Sequence, residues 1–505
     1  MPLRLVYGFC NFWRLFMDFQ EWENRVSILN RKYNHFDLWV SYNKVKKYIQ
    51  DPNNIKSHGF YPLIHFEMPK PKWVRLYKKA SINFDKKRHI FYAAHIDSWI
   101  YRYYAYKFNE SYNQYLEAKD LNEVAVAYRN NLKQNNINFA NKAFSFIRNL
   151  QQEDEELYVI IGDFTDFFDN LDHEYLKNNL KIVLDKKRLD DDEFAVFKNV
   201  TRASYVELVD IIKWHKLKDN KKSRRLVNKK NFNQGRILNV NYLGKNKVEI
   251  HTDKVDKGVA QGTPISAVLS NIYMIKFDEK LSTLAEDKGG FYQRYSDDFI
   301  FIFSCSSCSI DVILSELKSC VSSVHGLTFK DEKRQIFKVS GHKIENITNK
   351  YSDESNSENH KSCLINYLGF SFDGYSISVR GKTLSRYFSK MAVSAHAISR
   401  QNRVIHPIDS KNKKTIPLYK VFNRFTYKGT KWYRQKYKNC KHKKHIQLVE
   451  NKNGNFHDYI NKAQKVFEYD TNISVVTKKS VNYLRKFLNK KYTNNSVNDD
   501  LGTES

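Results

Sequence analysis

Three aspartates interrupt apolar runs in this 505-residue chain: Asp163 closes YVIIGD, and Asp297 with Asp298 stands directly before FIFIF. A carboxylate at the edge of a buried strand costs desolvation free energy unless a cation partners it. Any one of them alone reads equally as a strand-end turn or a helix cap. Two such strand ends placed side by side would do more. Clustered carboxylates can hold a pair of divalent metals about 3.5–4 Å apart, the arrangement that drives in-line phosphoryl transfer. Oxygen-only donors suit Mg2+, two per site, with Mn2+ also tolerated.

The surrounding pattern supplies elements that could position these acids. LYVIIGDF has the profile of a buried strand, and DHEYLKNNLKIVL follows as a helix with Asp172 as N-cap and Glu174 in its first turn. VAQGTPISAVLSNIYMIKFDEKL reads as a Gly-Pro loop opening one helix, with Ile265, Leu269, Ile272 and Ile275 on a shared face. FYQRYSDDFIFIF reads as strand, tight turn, strand, and NYLGFSFDGYSISVR as a further hairpin. Upstream, PKPKWVRLYKKASINFDKKRHIFYA suggests paired strands, leading into the helical pattern HIDSWIYRYYAYKFNESYNQYL. Residues 185–257 are polar and basic.

Composition narrows the partners. Hydrophobic residues make up 41% and aromatics 15%, enough for a sizeable core, while 85 Lys and Arg against 55 Asp and Glu leave a net charge of +30. Such an excess is self-repelling unless a polyanion neutralises it, and nucleic acid is the usual one. The charge is concentrated. Lys221, Lys222, Arg224 and Arg225 form one cluster, and Lys431, Arg434, Lys436 and Lys438 alternate with Trp432, Tyr433 and Tyr437 in another. Cations there can grip phosphates while aromatic faces stack on bases. Cys305 and Cys308 have zinc-like spacing but no second pair nearby, and Cys440, His442 and His445 in the basic stretch could ligate a metal, a minor reading beside that of a phosphate-binding segment. No apolar run approaches a membrane span, the N-terminal stretch is a poor signal peptide, and six cysteines are too few for a disulfide scaffold. A cytoplasmic protein with no membrane contact is expected.

Several segments resemble, in order, the motifs of reverse transcriptases. IGDFTDFFDNLDH resembles their first palm motif, AQGTPISAVLSNIYM the second, with Ala260 where Pro is common, and YSDD their Tyr-x-Asp-Asp box. GLTFKDEKRQIF resembles the next motif with its Lys, and YLGFSF the primer grip. Upstream, RHIFYAAHIDSWIYRYYAYKFNESYNQYL and VAVAYRNN, with ISVRGKTLSRYF and GNFHDYINKAQKVF later, resemble bacterial reverse transcriptases of the Abi and antiphage-defence groups. Their palm is like that of retron and group II intron enzymes. The chain shows no Cys/His endonuclease module and no clear maturase domain.

The resemblance implies a right-hand polymerase, an α+β fold with an antiparallel palm sheet and a mainly helical C-terminal region. Its expected parts are a helical extension over 1–60, fingers over 61–155, and a palm over 156–375 containing a basic insertion at 185–257. A helical, nucleic-acid-binding thumb over 376–490 and a disordered tail over 491–505 complete it. It implies that Asp163 and Asp297 bind both metals, assisted by Asp298 and the Phe164 backbone carbonyl. Lys333 would serve the leaving pyrophosphate. Arg88, and less directly Lys87, would hold the triphosphate. Phe168 would lie beneath the sugar, Gln261 and Gly262 beside the incoming base pair, and Tyr295 under the primer end. The implied partners are dNTPs, a structured noncoding RNA as template and the DNA product; association with a second copy of the chain stays open. Two other readings stay open. One is an RNA-templated RNA polymerase, against which the aromatic Phe168 argues and for which the neighbouring Asp169 leaves room. The other is a non-catalytic RNA-binding scaffold. Some defence enzymes start DNA on a protein hydroxyl, and none of the 33 tyrosines is singled out for that role.

Overall fold

The computed structural model describes residues 19–29, 32–76, 79–214, 226, 241–242, 256–328, 334–351, 363–403, 418–430, 432–438, 444–450, 454–468, 473 and 480–489. The expected tail over 491–505 lies outside them, as do residues 1–18 of the N-terminal extension. The rest of that extension is helical at 19–27, Tyr42–Gln50 and Pro52–Lys56.

The paired strands expected upstream are present and longer than their sequence signal. β1 (Leu63–Leu76) runs antiparallel to β2 (Lys79–Tyr92), paired from Ile64↔Tyr92 to Leu76↔Lys79 with a one-residue register shift between Lys70 and Lys72. The helix His95–Ala118 follows and buries Trp99, Ile100, Tyr104, Phe108, Tyr112 and Leu116 along one stripe. The helix Asn136–Gln152 starts at a capping box in which the Asn135 and Asn138 side chains satisfy each other's backbone amides.

A five-stranded sheet forms the centre. Its first strand in the chain is β3 (Leu157–Asp163). The next two, β4 (Ser204–Glu207) and β5 (Asn241–Tyr242), extend the upstream hairpin instead, in the order β2-β1-β4-β5 with β4 parallel to β1. The central sheet then takes β6 (Phe291–Tyr295), β7 (Asp298–Ser304), β8 (Gln335–Ser340) and β9 (Lys343–Asn346). Its order is β6-β7-β3-β8-β9, and every pairing is antiparallel.

Alternation along the strands divides this sheet between two cores. Ile160, Phe299, Phe301 and Phe303 face a core built with the helices around Leu269, Phe277 and Leu317. Leu157, Val159, Ile161, Ile300 and Ile302 face another, built with Ile137, Phe144 and Ile460. Both faces are covered, which is why LYVIIGD reads as a continuous apolar run.

The structure departs from expectation in four places. The region 185–257 is not basic insertion throughout, because the helix Asp191–Thr201 buries Val196, Phe197 and Val200 in the main core. The helix expected after the Gly-Pro loop breaks at Met274 into Ser266–Tyr273 and Ile275–Asp287. At that break, the Asn179 side chain donates to the Tyr273 carbonyl at 2.9 Å. The hairpin expected at NYLGFSFDGYSISVR is a three-stranded meander of β10 (Ile365–Tyr367), β11 (Phe370–Phe372) and β12 (Ile377–Val379). Finally, the mainly helical C-terminal region has the helices Gly381–Arg403, Leu418–Phe425, Phe456–Val466 and Ser480–Asn489. It also carries a hairpin, β13 (Trp432–Lys438) with β14 (Lys444–Glu450). WYRQKYK sets its cations Arg434, Lys436 and Lys438 at a spacing of two, with Tyr433 and Tyr437 on the alternate row, a strand signal that the basic composition conceals. Among the described residues no helix is long and apolar enough to cross a membrane.

Candidate active site

The C-terminal end of β3 meets the hairpin β6–β7. Asp163 is the register partner of Asp298, and Tyr295 pairs with Asp298 across the hairpin, so Ser296 and Asp297 form the connecting turn. Directly opposed residues of an antiparallel pair project from the same face of the sheet, with Cα atoms roughly 4.5–5.5 Å apart. Two of the three sequence-derived acids therefore share a face, and the third occupies the adjoining turn. Gly162 makes this approach possible, because a Cβ there would run into the Phe299 ring.

Asp163 is buried, whereas Asp298 opens to solvent on one side. Desolvation by the protein on its other sides is the larger cause, and the Asp297 carboxylate the second, of an Asp298 pKa raised to about 6; Arg380 pulls the other way. A carboxylate pushed up in this manner, beside another, is a site that a cation would relieve. The donor set is all oxygen, as Mg2+ requires. The fit is one of chemistry rather than preformed geometry. Among the described residues no three His, Cys, Asp or Glu side chains stand close enough together to hold a metal.

A network absent from the sequence reading supports the turn. Arg294, fully buried, donates from Nε and Nη2 to the two Asp278 carboxylate oxygens at 2.7 and 2.6 Å. From Nη1 it donates to the Ser296 carbonyl at 2.8 Å, and Tyr292 adds a hydroxyl to Asp278 at 2.9 Å. Burial works against the Arg294 charge, but Asp278 outweighs it and holds the pKa above the ordinary guanidinium value. Arg294 thus ties the aspartate-bearing turn to the helix Ile275–Asp287. Its neighbour in sequence, Tyr295, is half-buried, with its ring 6.3 Å from those of Tyr128 and Phe139.

The loop after β3 carries the proposed sugar contact. Phe164 packs among Phe167, Phe277 and Phe299. Phe168 lies half-buried in the short helical turn Phe167–Asp169, and its carbonyl accepts from Val259 N at 2.8 Å. The Gly-Pro loop is in turn docked on β2, where Phe91 N donates to the Gln261 carbonyl at 2.9 Å. Gly262 has φ +116°, and a Cβ there would lie 2.5 Å from the Phe91 carbonyl oxygen. The observed close approach at Gly262 is thus to β2.

The pleat of the β1–β2 hairpin also sorts the expected triphosphate cations. Lys87 shares one face with Glu67 and His89, while Arg88, opposite Met68, lies on the other. Lys87 is paired with Glu67 at 2.5 Å. The lysine read as the weaker candidate shares its face with His89, which lies in electrostatic range of Asp169. Behind it, His65 Nε2 meets His89 Nδ1 at 3.0 Å, and His65 Nδ1 meets Glu207 at 2.8 Å. Arg380, in electrostatic range of Asp298, is a cation that sequence reasoning missed although it lies within ISVRGKTL.

Lys333, Lys221, Lys222, Arg224, Arg225 and Lys431 lie outside the described residues. Arg434, Lys436 and Lys438 take alternate positions along β13. Cys305 and Cys308 are free thiols; Cys440 and His442 lie outside the described residues, and His445 is in β14.

Residues 208–372 match the family model described as reverse transcriptase (RNA-dependent DNA polymerase). The match takes in the YSDD turn and begins after Asp163. Those residues thus match a reverse transcriptase domain, the kind of domain found in RNA-directed DNA polymerases, which are nucleotidyltransferases. No curated protein matches the sequence. Among solved structures, similar chains include apo telomerase from Candida tropicalis truncated from its C-terminal domain, at 13% identity and TM-score 0.37, covering 67% of this chain and 59% of that one. Telomerase from Candida albicans in complex with a TWJ fragment of telomeric RNA shows 13% identity and TM-score 0.31, with 70% and 53% covered. Apo telomerase from Candida tropicalis shows 16% and 0.34, with 70% and 55% covered. The chain thus spans 53% to 59% of the length of these telomerase chains.

Proposed function

We propose that the protein is an RNA-directed DNA polymerase that extends a primer by two-metal nucleotidyl transfer. It acts in bacterial antiphage defence, in the cytoplasm, copying an associated structured noncoding RNA. The observation that carries the polymerase reading is the register that sets the end of β3 against the YSDD turn, Asp163 opposite Asp298. The defence role is supported by the segments around the upstream helix and the C-terminal region that resemble such enzymes. In this reading residues 61–155 are fingers, 156–375 palm and 376–490 thumb.

Asp163 and Asp297 are the residues to hold both metals, with Asp298 assisting and the Phe164 carbonyl as a further oxygen. Divalent cations bound there would supply charge neutralisation at the α-phosphate and a lowered pKa for the primer hydroxyl. The chain's own residues do the rest. Lys333 serves the departing pyrophosphate, Arg88 and Lys87 bind the triphosphate, Tyr295 supports the primer end, and Gln261 and Gly262 line the nascent pair. Arg294 keeps the turn in place through the Ser296 carbonyl.

Phe168 decides between deoxyribo- and ribonucleotides. A 2′-hydroxyl above its ring would meet both a steric clash and an apolar face without a hydrogen-bond partner. Phe168→Ala should raise ribonucleotide incorporation about tenfold or more, because removing one such clash commonly shifts discrimination by ~1–3 kcal/mol. Primer extension with each nucleotide set alone, at constant Mg2+, reads this directly. A wild type that prefers ribonucleotides would establish the RNA-polymerase reading instead, with Asp169 beside Phe168 as the candidate hydroxyl acceptor.

Binding of the RNA should be steeply salt-dependent. If about eight phosphates are neutralised, log affinity should fall against log salt with a slope of roughly −5 to −7. Charge reversal at Lys431, Arg434, Lys436 and Lys438 should flatten that slope. An unchanged slope would remove the β13 segment from the RNA-binding surface.

A further inference from the structure

Tyr128 has a left-handed backbone, φ +62°, and leaves 47% of its surface exposed. Of the non-glycine residues with positive φ among those described, four are aspartates, which tolerate the region, and Tyr128 is the aromatic one. A bulky residue keeps such a conformation only where its surroundings over-determine it.

The flanking residues do that. Val126 N donates to the Arg294 carbonyl at 3.0 Å and Arg294 N to the Val124 carbonyl at 2.8 Å, so the loop is stitched to β6 immediately before the turn. Asn271 Nδ2 donates to the Ala127 carbonyl at 2.8 Å. On the other side Arg129, buried, donates to Asn113, to Asn122 and to the Ala125 carbonyl. Val124, Ala125, Val126 and Ala127 are all buried. The loop is anchored on both sides of one outward-pointing ring.

That ring stands beside the proposed catalytic turn. Its centroid is 6.3 Å from that of Tyr295, and its hydroxyl lies 3.4 Å from Ser296 Oγ. A half-exposed ring gains little from packing, so packing alone does not account for its strained backbone.

We infer that Tyr128 is a nucleic-acid contact: with Tyr295 it forms an aromatic seat for the terminal base pair of the primer–template duplex. Aromatic faces hold bases without regard to sequence, which suits an enzyme that must accept each pair it has just made. Locking the loop in the free protein removes the ordering cost that a mobile tyrosine would incur on binding. The inference rests on the polymerase reading and extends it to a residue outside the aspartate cluster.

The test uses the full chain with Tyr128→Gly and Tyr128→Phe. Glycine adopts positive φ without strain, so Tyr128→Gly should melt no lower than wild type. It should nevertheless bind a primer–template duplex about tenfold or more weakly, the range that loss of one base–aromatic contact produces. The duplex KM should rise in step while the dNTP KM stays at the wild-type value. Tyr128→Phe keeps the ring and should keep duplex affinity. Wild-type affinity in Tyr128→Gly overturns the inference, as does a loss of affinity that merely tracks a lowered melting temperature. A wild type that extends no primer removes the polymerase reading and this inference with it. Extension by wild type with unchanged affinity in the glycine variant removes this inference alone.

Discussion

Replacing Asp297 and Asp298 together by Asn is expected to lower nucleotide incorporation about a thousandfold or more. Metal-borne charge stabilisation supplies several kcal/mol to the transition state, and each 1.36 kcal/mol is about tenfold in rate. The fold should survive. The Asp298 pKa is raised by burial and by Asp297, so the folded protein disfavours the ionised form there. A neutral amide of the same shape relieves that repulsion, and the melting temperature at neutral pH should hold or rise slightly. RNA affinity should also hold, because it rests on phosphate contacts made by distant cations. Primer extension, thermal melting and filter binding on one preparation separate these outcomes. Incorporation near the wild-type rate in a folded double variant would sink the two-metal reading.

The largest stability effect is expected from the Arg294–Asp278 pair. Both side chains are completely buried, and Asp278→Ala leaves the guanidinium without its bidentate partner. Stranding a buried charge in this way costs about 3–5 kcal/mol. The double change Asp278→Leu with Arg294→Met should recover much of that loss, because neither charge is then left alone. It should not recover activity, since the Ser296 carbonyl loses its Arg294 donor and the aspartate-bearing turn its tether. Chemical denaturation and single-turnover extension on wild type and these two variants test this. If the double variant regained full incorporation, Arg294 would be a stability element only.

Much of the site was legible because its signals are local. The short continuous apolar runs LYVIIGD and FIFIF mark buried strands, Asp172 caps the next helix through the Tyr175 amide, and the interval between Tyr295 and Asp298 admits only a tight turn. Those short-range preferences are written in neighbouring residues, and the tertiary structure has no cause to override them. The aspartates and the Gly-Pro loop were singled out from residue type and order, and Phe168 from the resemblance; β3 ends at Asp163, the Phe168 turn follows it, and the Val259 amide joins the Gly-Pro loop to that turn.

What remained hidden depends on contacts between residues far apart in the chain. Nothing near Arg294 announces that Asp278 will neutralise it, since the pairing arises only when the helix Ile275–Asp287 packs against the sheet. The Gly262 requirement comes from the Phe91 carbonyl on β2, and the strain at Tyr128 from hydrogen bonds to Arg294 and Asn271. The relative standing of Lys87 and Arg88 is set by hairpin register, which one residue of slip would reverse. The sequence by itself thus singled out the candidate residues for the chemistry and determined the strands and turns that hold them. Only the tertiary structure decided what surrounds and tethers them, because burial, register and close approach are properties of the packed molecule and leave no periodic trace along the chain.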